Sequence, residues 1–361
     1  MKVGFIIYGD INTVSGGYLY DRKLITFLEK QGDTVKIISL PQRSYGMYVL
    51  KNISHKLVLN EDFDILIEDE LVHPSIFRTN QKLKNKYNIP IISLVHLFSS
   101  YAPKPFYNKF LNLFIERKYL QSIDGLILNS QNTLNQAQTL LNGELPPHIV
   151  AVPAGNNFQK EEIPIEEISR EPGHLNILYV GNIIKQKGLD VIIRALANLN
   201  SQNYKLTITG RTDLEPKFVN YIYQLINKFE LYNKIVFTGT LQDSKLIEIY
   251  RSNDVLVLPS INEAYGIVYI EALSFGLPVI GTTLGGAKEI INHGENGYLI
   301  EPHDSIKLAE YLSSLQQDRN LLNILSKNSL HTYRHHPTWN DTCQEIRVFL
   351  QSFLQQSNNS Q

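Results

Sequence analysis

Short apolar runs alternate with longer stretches of helical periodicity along the chain. In its first part the runs are Val3–Tyr8, Val35–Leu40, Ile65–Glu68, Ile91–Val95, Leu126–Asn129 and Ile149–Val152. Most read as strands buried on both faces. Between them Tyr18–Gln31, Ser75–Tyr87, Tyr107–Gln121 and Gln131–Leu141 carry apolar residues three and four apart, the period of a helix packed on a sheet. The alternation predicts an α/β domain with a parallel, doubly wound sheet over residues 1–158. Residues 159–174 are charged and hold two prolines, which predicts a linker. The alternation restarts with Asn176–Val180 and continues through Lys205–Thr209, Ile235–Thr238, Val255–Leu258, Val279–Gly281 and Tyr298–Ile300. A second doubly wound domain is therefore predicted over 175–338. Beyond residue 304 the pattern is helical, with a last helix at 339–354 and a polar, disordered tail at 355–361. Two such domains put ligands at the carboxyl ends of their strands.

One stretch concentrates chemistry at such an end. Pro259 closes the apolar run 255–258, Ser260–Gly266 reads as a polar turn, and Ile267–Phe275 reads as a helix. Glu263 lies in the turn. Glu271, four residues after Ile267, lies near the packed face of the helix, where an ionised carboxylate is costly without partners. Ribose or sugar hydroxyls are such partners. The bare N–H groups around Gly266, Ile267 and Val268 suit a phosphate. The plainer alternative is a solvated Glu263 and a Glu271 paired with lysine.

Other strand ends carry further candidates. The paired glycines Gly16 and Gly17 precede a helix and allow close backbone approach. Their spacing is neither Gly-x-Gly-x-x-Gly nor Gly-x4-Gly-Lys-Ser/Thr, which argues against dinucleotide and P-loop readings. Glu68, Asp69 and Glu70 end the third strand as three carboxylates expected to point to the ligand edge, for acceptor hydroxyls or as a base. His96 closes the fourth strand, with a satisfied structural histidine as the alternative. Asp62-Phe-Asp64 resembles a metal-binding Asp-x-Asp but precedes its strand and so lies at the wrong edge. His331 and His335 have ligand spacing without a third ligand. Trp339 is expected to pack the last helix. The segment 101–121 mixes aromatic and basic residues, which fits either a helix packed on the sheet or a membrane-surface helix.

Glu263 and Glu271, separated by seven residues, are followed by Gly276-Leu-Pro-Val and by Gly285-Gly-Ala-Lys-Glu289. In this the chain resembles the retaining glycosyltransferases of family 4, which have the GT-B fold of two Rossmann-like domains facing across a cleft. The resemblance implies transfer of a sugar from a nucleotide-diphosphate sugar to a hydroxyl acceptor, a glycan or a lipid, without a metal or other cofactor. It implies that the last helix, 339–354, crosses back to the first domain. It implies Gly16 and Gly17 against the donor phosphates and His96 beside the transferred sugar. It implies Glu263 on the sugar, Glu271 on the ribose, and Tyr265, Gly266 and Ile267 around the donor. Gly210, Arg211 and Leu241 then fall at the nucleobase pocket, largely through backbone groups. The family usually has Arg and Lys after the first strand of the second domain. Lys187 matches, whereas Asn182 stands where Arg is usual and brings no charge. Lys185 is the nearest substitute.

The chain has 361 residues, enough for two domains, and 43% of them are hydrophobic. Its 34 basic and 35 acidic residues give a net charge of −1, so nothing global points to nucleic acid. One cysteine, Cys343, excludes an intramolecular disulfide and suits a reducing compartment. No run approaches the roughly 20 apolar residues of a membrane span, and a cytoplasmic protein is expected, with peripheral membrane contact through 101–121 as an open possibility. Two rival readings remain: a nucleotide-sugar epimerase or phosphorylase on the same fold, and a non-catalytic partner subunit, which the Asn182 departure motivates.

Overall fold

The computed structural model describes residues 1–41, 47, 59, 62–101, 106–158, 173–199 and 203–358, with only the backbone at 106–109, 243 and 356–358. The expected linker 159–174 lies, apart from its last two residues, outside the described residues. The chain divides into two compact units, residues 1–153 with 337–361, and residues 154–336.

The first unit is a parallel sheet of six strands: β1 (Lys2–Tyr8), β2 (Thr34–Leu40), β3 (Ile65–Asp69), β4 (Ile91–Val95), β5 (Gly125–Leu128) and β6 (His148–Val150). Their order is β2-β1-β3-β4-β5-β6. Val3 pairs with Val35 and Ile65, and Glu68 pairs with Ser93. β1, β3, β4 and β5 are buried almost throughout because helices cover both faces, whereas β2 is a largely exposed edge. Helices of this unit include α1 (Gly16–Lys30), α2 (His73–Tyr87), α3 (Phe106–Leu120) and α4 (Gln131–Leu140). Ser15 caps α1 by accepting the Tyr18 N–H, and Ser130 caps α4 in the same way.

The second unit repeats the plan with β7 (Leu175–Val180), β8 (Tyr204–Thr209), β9 (Ile235–Gly239), β10 (Val255–Val257), β11 (Val279–Thr282) and β12 (Gly297–Ile300). The order is β12-β11-β10-β7-β8-β9, again all parallel. Helices α5 (Leu189–Ala197), α6 (Pro216–Lys228), α7 (Asp243–Ser252) and α8 (Ile267–Ser274) alternate with the strands, and α9 (Ser305–Gln317) and α10 (Arg319–Arg334) follow β12. The chain runs outward from β7 to β9 and then restarts on the other side of β7, so β7 and β10 flank a topological switch point.

Pro337 follows the end of α10, and α11 (Trp339–Asn358) belongs to the first unit. Arg347 on α11 donates to Asp33 at 2.7 Å, and the N-terminal ammonium meets the same carboxylate at 2.7 Å. Burial alone would raise the Asp33 carboxyl, but Arg347 and the ammonium draw it below its ordinary range. Trp339 packs edge-on against Tyr20, and Thr342 donates to the Val152 carbonyl. The helix continues through Gln355 to Asn358, where the sequence predicts a disordered tail; residues 359–361 lie outside the described residues. Gln355 and Gln356 are good helix formers that extend an already docked helix. Asp64 accepts the Lys2 N–H at 2.7 Å and so anchors the start of β1, a structural use of the Asp-x-Asp pair.

Candidate functional site

The loops after β7 and β10 meet at the switch point of the second sheet, the position where doubly wound folds bind ligands. The first ends in a turn of 3-10 helix, Lys185–Lys187, and the second spans 259–266. Lys187 Nζ donates to Glu263 Oε2 at 2.5 Å, with both side chains largely but not wholly withdrawn from water. Gln186 ties the loops together. Its side chain donates to the Asn262 carbonyl at 2.7 Å, and its carbonyl accepts from the Ile261 N–H and the Ser260 hydroxyl. A third loop braces the turn. Gly285 has φ +70°, and a Cβ there would lie 2.3 Å from the Glu263 carbonyl oxygen. Gly286 N–H donates to that same oxygen at 2.8 Å. The paired glycines therefore let one backbone lie directly on another.

Glu271 projects from α8, and the residue is 7% exposed. Its Oε1 accepts from Asn157 Nδ2 at 2.9 Å and its Oε2 from the Tyr250 hydroxyl at 3.0 Å. Tyr250 is fully buried and its ring stacks on Phe275, with centroids 5.0 Å apart. Burial and the neighbouring Glu271 push its hydroxyl well above the ordinary value, so it remains a donor. Each carboxylate oxygen has a second lone pair, so a held Glu271 can still accept from a ligand hydroxyl. Gly266, left-handed at φ +98°, opens α8 without a side-chain cap.

The other expected donor residues divide. Asn182 uses its carbonyl to accept the Tyr179 hydroxyl at 2.9 Å. Lys185 lines an open pocket of 820 Å³ with Asp190, Glu215, Lys217 and Tyr221, and its N–H donates to Glu215. Arg211 is engaged by Asp213 at 2.7 and 3.0 Å, on the loop that begins at Gly210. Leu241 is half-buried on the loop after β9, and Ile267 half-buried at the first position of α8. Tyr265 departs from the expectation for its side chain. It is 4% exposed and its hydroxyl pairs with His336 Nε2 at 2.7 Å, so the phenol serves the fold. His335 Nδ1 bonds the His331 carbonyl at 2.8 Å, as neighbours on one helix do.

In the first unit Gly16 is exposed and Gly17 half-buried at the start of α1. The three carboxylates after β3 do not form one row facing a ligand. All are at most 1% exposed, and each has its own surroundings. Glu68 accepts from Asn80 at 3.1 Å, beneath α2, and burial pushes its carboxyl up to about 8. Asp69 accepts the Leu71 N–H, caps the following turn, and meets Asp21 and His96. Burial and the Asp21 charge push it up to about 8. Glu70 pairs with His73 at 3.0 Å, near Glu116, whose own carboxyl burial raises to about 7. The reason is the alternation of side chains along a strand, followed by a tight turn. His96 is 9% exposed, and its Nε2 lies 2.9 Å from Asp21 Oδ1.

Asp21, Gln186, Tyr250 and Asn157 were not among the residues expected at the site. Only Asp21 has a sequence signal. It occupies the apolar face of α1 in register with Tyr18, Leu24, Ile25 and Leu28, so a carboxylate was bound to be buried there. Gln186 and Asn157 act from loops, where periodicity carries no information.

Residues 161–332 match the family described as glycosyl transferases group 1. An uncharacterized glycosyltransferase of Methanocaldococcus jannaschii, MJ1607, is 32% identical over 170 residues, 47% of this chain and 43% of that protein. The chain spans less than two thirds of the length of this and the next curated relatives it matches. Among solved structures, sucrose-phosphate synthase of Thermosynechococcus elongatus superposes with a TM-score of 0.80 at 18% identity, covering 98% of this chain and 99% of that one. Anabaena Alr3699/HepE in complex with UDP-glucose gives 0.74 at 17% identity, covering 98% of this chain and all of that one. Two parallel Rossmann-like sheets and these superpositions give the chain the GT-B fold, and residues 161–332, just under half of it, are similar to the glycosyl transferases group 1 family.

Proposed function

We propose that the chain is a retaining glycosyltransferase that moves a sugar from a nucleotide-diphosphate sugar to a hydroxyl acceptor. The observation that carries this reading is the Lys187–Glu263 pair at the switch point of the second sheet, with Glu271 on the helix that follows. Lys187 exchanges Glu263 for the donor diphosphate. Released from Lys187, Glu263 accepts hydroxyls of the sugar, and Glu271 accepts those of the ribose. The N–H groups at the start of α8 add fixed positive ends to the diphosphate. The bond from the anomeric carbon to the diphosphate oxygen breaks, and its electron pair leaves with the nucleotide. The acceptor oxygen bonds to that carbon on the same face, and its proton passes to the departing phosphate. Lys187 and the helix start supply the charge neutralisation, so no divalent ion is required. His96 is assigned to a hydroxyl of the sugar.

HepE binds UDP-glucose on the same fold, which makes a uridine-diphosphate sugar the first donor to test. The acceptor is reached at a membrane surface on the cytoplasmic side. Support comes from α3, whose buried face is Asn112, Ile115, Glu116, Tyr119 and Leu120. Its opposite face shows Phe110, Leu111 and Phe114, at 60, 46 and 58% exposure, followed by exposed Arg117 and Lys118. An apolar stripe that ends in cations fits an anionic lipid surface. No described helix is long and apolar enough to cross a membrane.

The test is product analysis with the purified chain, UDP-sugars and lipid-linked or glycan acceptors, with and without chelator. Acceptor-dependent release of UDP with a glycosylated product, unchanged by chelator, is expected. Donor epimerised without acceptor, or sugar phosphate formed from a glycan and phosphate, assigns the epimerase or phosphorylase reaction. No turnover in the presence of demonstrated donor binding assigns the partner-subunit reading.

A further inference from the structure

The helix α1 carries a buried acid that faces His96, at the ligand edge of the first sheet. Asp21 is fully buried, and its Oδ1 lies 2.9 Å from His96 Nε2. Its second oxygen, Oδ2, is buried without a hydrogen-bond partner among the described residues. The His96 ring is fixed from several sides. Tyr20 meets it edge-on, with centroids 5.4 Å apart. A Cβ at Gly17 would stand 3.2 Å from its Cδ2, so glycine is what lets the helix start lie on the ring. Asn129 donates to its backbone carbonyl at 3.0 Å. Nε2 is therefore committed to Asp21. Nδ1 has no partner among the described residues, nor is it among the buried unpartnered atoms, so it shares in the 11% exposure of the side chain.

We propose that Asp21 is a positioning residue for sugar binding: by accepting the Nε2–H of His96 it holds the ring as a cation that offers Nδ1–H to a sugar hydroxyl. A neutral histidine bonded to a carboxylate through Nε2–H has a bare Nδ1, which can only accept. A cationic ring donates from both nitrogens, and a donor with full charge binds a hydroxyl oxygen more strongly than a neutral one. The titratable groups that face the ring are all acidic: Asp21 from α1, Asp69 at the end of β3 and Glu70 from the turn that follows. Burial opposes the imidazolium, but Asp21 beside it, together with Asp69 and Glu70, outweighs burial and raises the ring to about 9. The ring thus stays charged through neutral pH. Asp21 touches no ligand in this arrangement. It acts through His96, and the inference rests on the proposed role of His96 at the sugar.

The experiment compares wild type, Asp21→Asn and His96→Gln by two measurements. Asparagine keeps an oxygen for the Nε2–H and removes only the charge. Long-range nitrogen–proton NMR of the histidine rings follows the His96 titration directly and does not depend on activity. In wild type the ring is expected to stay cationic to beyond pH 8. In Asp21→Asn its titration is expected to move down toward the ordinary value of about 6.5. Calorimetry with UDP and with UDP-glucose gives the second reading. Asp21→Asn is expected to leave UDP affinity unchanged and to weaken UDP-glucose about tenfold at pH 8. Most of that loss is expected to return at pH 6, where the ring regains its proton. His96→Gln is expected to show the same sugar-specific loss without recovery at pH 6. An unmoved His96 titration, or equal loss for UDP and UDP-glucose at both pH values, overturns the proposal. Failure of wild type to bind either nucleotide counts against the transferase reading instead, and the NMR titration still decides the role of Asp21.

Discussion

Lys187 and Glu263 hold each other at 2.5 Å, and each is assigned a different part of the donor. In the proposed reaction a diphosphate displaces the carboxylate from the lysine. Lys187→Ala removes the cation at the leaving group, and turnover is expected to fall by about 10²–10³, the range for losing one well-placed electrostatic donor. Glu263→Gln keeps the shape but loses the lysine's partner and the strong acceptor for sugar hydroxyls. It is expected to weaken UDP-glucose more than UDP. Steady-state rates and nucleotide titrations on both variants check these outcomes. Near-normal transfer by Lys187→Ala contradicts its assignment. At this scale a known spacing singled out Lys187, Glu263 and Glu271, and the structure brings the first two together as an ion pair. The sequence misled where side-chain direction decides. Glu68, Asp69 and Glu70 look like one acidic row, but the strand sends Glu68 beneath α2, and the turn sends Asp69 and Glu70 to different histidines.

The elements explain why the site keeps its form. The Gly285–Gly286 loop lies backbone to backbone on the Glu263 turn, and any Cβ at 285 meets the Glu263 carbonyl. Gly285→Ala is expected to cost about 1–3 kcal/mol of stability, from a left-handed φ and a clash together, and to weaken donor binding. Chemical denaturation and calorimetry read the two effects. On α3 the apolar stripe makes a separate prediction. Replacing Phe110, Leu111 and Phe114 with serine is expected to abolish sedimentation with vesicles rich in anionic lipid and leave the fold unchanged by circular dichroism. Replacing Arg117 and Lys118 with glutamine is expected to weaken binding and remove its salt dependence. Vesicle binding unaffected by either set contradicts the membrane assignment. The strands and most helices were legible, because a parallel sheet covered on both faces writes itself as apolar runs separated by helical periods. The outward face of α3 was not, because apolar residues lie on both of its sides, and only the packing shows that Ile115 and Tyr119 face inward while Phe110 and Phe114 face out.

At the scale of the whole molecule the two units carry different electrostatic loads. The first buries Glu68, Asp69 and Glu116 with carboxyls raised to about 8, 8 and 7, together with the His96 cation at about 9. Every one of these groups binds its proton more tightly folded than unfolded. Their contribution is full below the unfolded values and is lost as pH rises through the folded ones. The first unit is therefore expected to lose stability steadily between pH 5 and pH 9, read as faster hydrogen exchange of β3 and β4 amides. Glu68→Gln removes one such group and is expected to gain about 1–2 kcal/mol at pH 8 and almost nothing at pH 5. Exchange that is flat over this range contradicts the raised carboxyls. The division into two units was visible in the restarting alternation. The return of α11 to the first unit was expected from the family resemblance alone, because the contacts that fix it, such as Arg347 with Asp33, 314 residues apart, follow from no local pattern.

The measurement that bears most directly on the central claim is calorimetric titration of UDP-glucose, with the other nucleotide-diphosphate sugars as comparison, into wild type and Glu271→Ala. Glu271, held by Tyr250 and Asn157, is assigned to the ribose and to nothing in the reaction itself. Wild type is expected to bind one donor per chain, and Glu271→Ala to bind it at least about tenfold more weakly. Binding of equal strength in the variant, or no binding of any nucleotide-diphosphate sugar to wild type, contradicts the account.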